Sequence, residues 1–431
     1  MKKEFLFFFF GICMSWGSAQ NSVDSLNFTL EDCLNYAYEH NYTLQSMKLS
    51  EEAAADAYKQ SKMEYLPSVS ASIGENLSNS KDNPASFGGN ASINASMTLY
   101  QGGNISRTVK QNQLKKEMSV YQTSQYENTL IIQILQAFLT AIGNDELLRY
   151  QEVVARASEE QWKQGKEQYR FGKILESDYL LLEAQLANDR NNVINTRISR
   201  DKSLLSLKKL LSMPATENLQ LIHPDTAAVN ALGLLPAIAE VIENTMQTMP
   251  DLKISAYNVD IATLNASMAK ANYLPTISLQ GSVGTGHTNF SKFGTQLADR
   301  HNEQIGVSVS IPIYDNNRTR SKITQSRIAL QQAELDQKQT ALDLEQTVAT
   351  EYQDVLSSFN QYQTTKIRQN AYSKTFDVYR AQFTAGSITT VDLLQQQNNY
   401  ISALNDYIQS KYNFILKRKI LDVYMGKNVK I

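Results

Sequence analysis

ASINASMTLY at residues 91–100, followed at once by QGGN at 101–104, is the stretch on which the fold turns. Ala91, Ile93, Ala95, Met97 and Leu99 alternate with Ser92, Asn94, Ser96 and Thr98. A period of two puts these sets on opposite faces of a β-strand. Two glycines then turn the chain, and no proline occurs from residue 85 to residue 213. The spacing predicts an alternating strand that feeds a very long helix.

Three other segments alternate in the same way. Val69, Ala71 and Ile73 stand between serines; Ile277 and Leu279 stand beside Ser278 and Gln280; Ile305, Val307, Val309, Ile311 and Ile313 flank Gly306, Ser308 and Ser310. Each runs for about ten residues, the length that a tilted transmembrane strand needs. A half-buried antiparallel sheet in a soluble protein has the same pattern, so period two alone leaves both readings open. Polar loops, Asn79 to Gly88 and His287 to Asn302, join the strands in pairs. Four strands cannot close a membrane barrel, since bacterial barrels begin at about eight. An open sheet edge is not tolerated in lipid. If these strands span a membrane, several chains share one barrel.

The chain has 8 prolines and 18 glycines in 431 residues, and residues 313–431 contain no proline. Proline costs about 3 kcal/mol inside a helix and glycine about 1. These gaps predict helices from about Asn104 to Arg170 and from about Arg318 to Thr384, each about 100 Å long at 1.5 Å per residue. Within them, Ile131, Leu135, Phe138 and Ile142, and Val348, Tyr352, Val355, Phe359 and Tyr362, step by fours and threes. A later helix repeats the seam through Ile401, Leu404, Ile408, Lys411 and Ile415. This is the spacing of helices that pack side by side. The neighbouring faces are rich in Gln, Asn, Ser and Thr, which suits a wall facing water as well as it suits a solvated rod. Shorter helices are expected over 178–212 and 391–425, and others end near Tyr65 and Tyr273 after starting near Thr43 and Pro250. Two short helices end to end match one long one.

Composition narrows the function. The 41 basic and 43 acidic residues leave a net charge of −2, which argues against nucleic acid as a partner. Mean hydropathy is −0.37, and no mature apolar run reaches the length of a membrane helix. Lys2, Lys3, the apolar Phe5 to Met14 and the small Gly17-Ser18-Ala19 have the pattern expected of a secretory signal over residues 1–19. Ile12 stands where a lipid-attachment site before Cys13 needs a small residue. Export would leave Cys33 as the sole cysteine, with no disulfide. The histidines have no metal-ligand spacing, no cofactor is implied, and no nucleophile–base constellation points to an enzyme.

The chain is duplicated. Tyr65-Leu66-Pro67 matches Tyr273-Leu274-Pro275, and Leu99-Tyr100-Gln101-Gly102-Gly103 matches Ile313-Tyr314-Asp315-Asn316-Asn317. Phe171-Gly172 with Asp178 matches Ala385-Gly386 with Asp392. The expected organisation is a first repeat over 20–211, a linker over 212–235 and a second repeat over 236–431. Each repeat reads helix, two strands, very long helix, helix.

In order and spacing these motifs resemble the TolC family of outer-membrane efflux and secretion channels, over about Phe28 to Gly426. The resemblance implies a mainly α fold with a membrane β-barrel portion: a homotrimer with four strands per chain and a long periplasmic helical tunnel. It implies the outer membrane of a Gram-negative bacterium, contact with outer-membrane lipid, and docking through a periplasmic membrane-fusion adaptor to an inner-membrane pump of the RND or ABC type. It places Gly172, Gly386, Ser387 and Ile388 at the periplasmic tip where the adaptor docks. Asp392, with Gln395 and Asp178, then falls at the pore constriction. The family's best-known channel has a second aspartate where Gln395 stands and a basic residue where Ile388 stands, so a weaker acidic ring is expected. From the residues alone, Gly172 and Gly386 are helix C-caps, and Asp178 and Asp392 are N-terminal carboxylates. Gly102-Gly103 and Asn316-Asn317 are strand-to-helix turns. The competing reading of the whole chain is an exported coiled-coil adhesin or periplasmic scaffold.

Overall fold

The computed structural model describes residues 26–80, 83–224, 235–288 and 293–427. The expected signal segment and residues 225–234 of the expected linker lie outside them. In chain order the elements are β1 (Leu26–Phe28), α1 (Leu30–His40), α2 (Tyr42–Met63), β2 (Ser68–Ser80), β3 (Asn83–Gln101), α3 (Asn104–Arg170), α4 (Glu176–Leu210) and β4 (Leu219–Leu221). Then follow α5 (Ile238–Thr248), α6 (Pro250–Ala271), β5 (Thr276–His287), α7 (Phe293–Asp299), β6 (Asn302–Ser310), α8 (Arg318–Thr384) and α9 (Thr390–Tyr424). The two long helices have 67 residues each, with the bounds expected from proline and glycine.

Helix α3 packs against α2 and α4, which cover successive lengths of it; α8 packs likewise against α6 and α9. The seams are where the four–three spacing puts them. Leu135, Phe138 and Ile142 are buried on α3, Val348 and Val355 on α8, and Leu404, Ile408 and Ile415 on α9. Lys411, the one charged member of the α9 seam, reaches Glu146 of α3 at 3.0 Å. That pairing explains a lysine inside an otherwise apolar row. Burying an ammonium here without its carboxylate would cost several kcal/mol. Asn41 breaks α1 from α2: its Oδ1 accepts from the Leu44 N–H (2.9 Å), and its Nδ2 donates to the Leu210 carbonyl (2.8 Å). The second repeat uses Met249-Pro250 at the equivalent corner, with proline at the first helical position, where its missing N–H costs nothing.

The sheet is antiparallel in the order β2-β3-β5-β6, so the two repeats meet at β3–β5. Val69, Ala71 and Ile73 lie opposite Ala95, Ile93 and Ala91, and these lie opposite Gly281, Val283 and Thr285. The other face carries Ser68, Ser70 and Ser72 opposite Ser96, Asn94 and Ser92. Hydroxyls there pair directly, Ser68 with Ser96 at 2.9 Å and Ser72 with Ser92 at 2.8 Å. Ile73 and Ile305 are each 81% exposed on the apolar face. No helix among the described residues is long and apolar enough to cross a membrane.

Several expectations are corrected in detail. Strand β3 has 19 residues rather than about ten; the expected loop from Asn79 to Gly88 is mostly hairpin, paired from Ser78↔Ser86 down. The loop from His287 to Asn302 contains α7. Strand β6 ends at Ser310 instead of running to Ile313, because Pro312 has no N–H for the ladder. A short helix, α1 or α5, precedes each expected first helix. Strand β4 pairs in parallel with β1, a partner that three residues of sequence do not announce.

Left-handed residues make both strand-to-helix turns. Gly102 and Gly103 have φ of +58° and +77°, and Asn316 and Asn317 have +55° and +61°. Asparagine enters this region more readily than other side chains. At Gly102 space also matters: a Cβ there would sit 2.9 Å from the Ala271 carbonyl oxygen. Gly102→Ala is therefore expected to cost at least about 1–2 kcal/mol, while Asn316→Gly is expected to be near neutral. Thermal midpoints of the helical circular dichroism signal in detergent would separate the two; equal midpoints would remove the argument from space and φ.

Candidate functional site: the helical tip and the clamp behind it

Both long helices end in the same hydrogen-bonded motif. The Gly172 N–H donates to the Tyr169 carbonyl (2.9 Å) and the Lys173 N–H to Gln168 (2.8 Å). In the second repeat Gly386 donates to Phe383 (3.0 Å) and Ser387 to Gln382 (2.9 Å). The glycines have φ of +67° and +76°, and a Cβ on either would meet nothing within 4 Å. Glycine is required here by backbone handedness, not by crowding.

The returning helices start differently. In α9, Thr389 and Asp392 form a capping box: the Asp392 N–H donates to the Thr389 Oγ1 (3.2 Å), and the Thr389 N–H and Oγ1 donate to the Asp392 carboxylate at 3.3 and 2.7 Å. In α4, Leu175 holds the N-cap and offers no such bond, leaving Asp178 a half-buried first-turn carboxylate. Asp392 is exposed, as is Gln395 one turn on, whose amide donates to Asn399 at 3.3 Å. Ser387 is exposed. Ile388 packs against a cluster formed by Leu182 of α4, Phe376 and Phe383 of α8, and Leu393 of α9. That cluster brings both tip turns to one end of the molecule. Gly102, Gly103, Asn316 and Asn317 start the same long helices, and so lie about 100 Å away.

Behind the tip sits a group that the sequence reading passed over. Asp189 of α4 is 1% exposed and Gln397 of α9 is 1% exposed. The Ser158 hydroxyl of α3 donates to the Asp189 carboxylate at 2.6 Å, Gln397 Nε2 donates at 3.1 Å, and Gln185 at 3.0 Å. The neighbouring Arg190 turns instead to Glu159, at 3.2 Å. Three neutral donors from three helices thus hold a carboxylate without a cation. Burial, outweighing the bonds from Ser158 and Gln185, pushes the Asp189 carboxyl above its ordinary value of 3.8. The signal was in the spacing, since Leu182, Leu186 and Asp189 step by four and three and put a charge in an apolar seam. Its partner Gln397 follows only from how α9 docks. Among the described residues no three His, Cys, Asp or Glu side chains gather to hold a metal ion.

A sheet with one apolar face, joined to paired helices about 100 Å long, is the build of an outer-membrane channel subunit. The chain belongs to the outer membrane efflux protein family, whose model matches residues 33–212 and 241–427. It is 22% identical to the outer membrane protein TolC of Vibrio cholerae over 391 residues, covering 90% of this chain and 88% of that one. It is 22% identical over 305 residues to the alkaline protease secretion protein AprF of Pseudomonas aeruginosa, covering 69% of this chain and 61% of that one. Its fold matches the crystal structure of the CusC transmembrane channel with a TM-score of 0.79 and 15% identity, over 93% of this chain and 92% of that one. The protein is thus an outer-membrane protein of the Gram-negative type, with a long helical periplasmic extension.

Linkage gives Asp189 a pH signature. A carboxyl whose native pKa is raised adds stability below its unfolded value, and that stability is lost as pH rises through the native value. Asp189→Asn keeps an acceptor for Ser158. The substitution removes the buried charge, at the loss of the Gln185 bond to Oδ1. The variant is expected to melt higher than wild type near neutral pH, with the gap closing as pH falls towards the ordinary carboxyl value of 3.8. Melting curves across that range check this; a lower melting point at neutral pH would overturn it.

Proposed function

We propose that three copies of this chain close a twelve-stranded barrel in the outer membrane and a helical tunnel below it, forming a passive exit duct. The carrying observation is the sheet: strands β2 and β6 are its edges and pair with no further strand among the described residues, and its apolar face is exposed. In hydrocarbon an open edge leaves N–H and C=O groups unsatisfied at several kcal/mol each, so the edges must meet other copies. In this reading the apolar face meets outer-membrane lipid and the serine-rich face lines the pore.

The tip turns at Gly172 and Gly386, with Ser387 and Ile388, present the hairpin ends to a periplasmic membrane-fusion adaptor. The adaptor links the duct to an inner-membrane pump of the RND or ABC type, which supplies the energy. Asp392 projects from the tip, and its three symmetry copies form an acidic ring that attracts cations. Gln395 leaves the next turn neutral, and Asp178 contributes from α4. An exported adhesin has no use for an open-edged apolar sheet.

Protein purified from outer membranes in detergent should form conducting pores in planar bilayers. A water-soluble monomer that makes no pores would sink the duct. Asp392→Asn keeps an acceptor for the Thr389 cap, so the helix start survives while the charge is lost. It is expected to lower cation selectivity and block by divalent cations; unchanged selectivity would remove Asp392 from the constriction.

A further inference from the structure

A cavity of about 750 Å³ lies among α2, α3, α6 and α8, beside the C-terminal end of α9. That volume falls within the range of small-molecule sites, about 300–1,000 Å³. Helix α2 packs on α3, α3 on α6, and α6 on α8, so the four form an arc. Met47 of α2 and Asp343 of α8 both line the cavity across α3 and α6. Residues from the two ends of an arc meet only on its concave side, which in a closed ring of such arcs is the lumen.

The lining chemistry is one-sided. It contains two carboxylates, Asp251 and Asp343, and no Lys, Arg or His among the described residues. Gln125 Nε2 donates to Asp251 at 2.5 Å and Gln339 Nε2 donates to Asp343 at 2.6 Å. These neutral amides leave the charges in place, and each carboxylate keeps further lone pairs. Around them stand the rings of Tyr126 and Tyr424 and the thioethers of Met47 and Met249. Aromatic faces attract cations, and methionine adapts to varied apolar shapes. The local field is felt by Tyr424, whose phenol is raised by burial and then by the charges of Glu351 and Asp251.

We propose that this cavity is a lumenal subsite for organic cations: molecules with one delocalised or quaternary positive charge on an aromatic or alkyl body. Asp251 and Asp343 hold the charge, and the tyrosines and methionines hold the body. The proposal rests on the duct reading, because only a closed arc makes this face a lumen. It names the class of cargo that the duct detains on its way out.

Tetraphenylphosphonium and tetraphenylborate are close in size and shape and opposite in charge. Equilibrium dialysis of each against the detergent-solubilised full-length protein, with protein-free micelles as the blank, reads the site. Saturable tetraphenylphosphonium binding is expected, weakened at least about tenfold in Asp251→Asn/Asp343→Asn and weakened by added salt. Tetraphenylborate should neither compete nor respond to the substitutions. Unchanged phosphonium affinity in the double variant, or equal competition by the borate, would overturn the subsite. Each single variant, Asp251→Asn and Asp343→Asn, is run beside the double with its melting curve, so that loss of fold is not read as loss of binding. Conductance of the same samples separates the two readings: pores without phosphonium binding overturn this inference alone, and absence of pores overturns the duct.

Discussion

A backbone N–H or C=O placed in hydrocarbon has no partner except another backbone group. That constraint governs this molecule more than any single contact. The chain brings four strands, pairs them in the order β2-β3-β5-β6, and leaves β2 and β6 as edges with no further strand beside them among the described residues. The apolar side chains need not be numerous, because a strand reaches lipid with every second residue. A chain of mean hydropathy −0.37 can therefore be a membrane protein. The rest follows from what hangs below the sheet. Helices too long to fold back into a globule gain their stability from neighbours along their whole length, so each long helix is matched by two shorter ones.

The duplicated halves reach equivalent geometry by different chemistry, and the differences show what each position demands. Two glycines or two asparagines serve at the strand-to-helix turns, because the demand is a left-handed backbone. Of the two glycines, Gly102 also has a carbonyl pressed against the place a Cβ would take. At the corner before the second helix, Asn41 caps with its side chain, while Met249-Pro250 removes the donor that would need a cap. At the tip, Thr389 caps α9 and Leu175 leaves α4 uncapped. The two hairpin ends therefore differ in how firmly their first turns are held.

Much of this was legible in the residues. The bounds of α3 and α8 could be read because helix breakers bracket them and no proline lies in their interiors, although α3 carries Gly143 and Gly165. The seams could be read because burial follows the four–three spacing. Other parts were hidden for physical reasons. Residues 83–90 carry no alternation, and β3 extends through them because backbone pairing with β2 holds it, joined by β5 only from Gly89 on. Helix α7 is too short to leave a period. The β1–β4 pair is three residues long and exists only because tertiary packing sets its strands together. Asp189 could be seen as a charge out of place, but Ser158 and Gln397 reach it from sequence separations of 31 and 208 residues.

The β3–β5 ladder also sets the order in which the protein can be made. Strands β2 and β3 are neighbours in sequence and pair from Ser80↔Asn83 onward, and so can form early. Gln101, however, pairs with Thr276, and all of α3, α4, α5 and α6 lies between them. Contacts at such separation form late, because closing a long loop costs entropy before any pairing rewards it. The helical hairpin of the first half folds while half of the membrane sheet has yet to arrive. Until it does, a strand with an apolar face waits in water with an unpaired edge, the state most prone to aggregate. Biogenesis of this protein is therefore a problem of timing: the sheet becomes whole only after the second half of the chain has supplied β5 and β6.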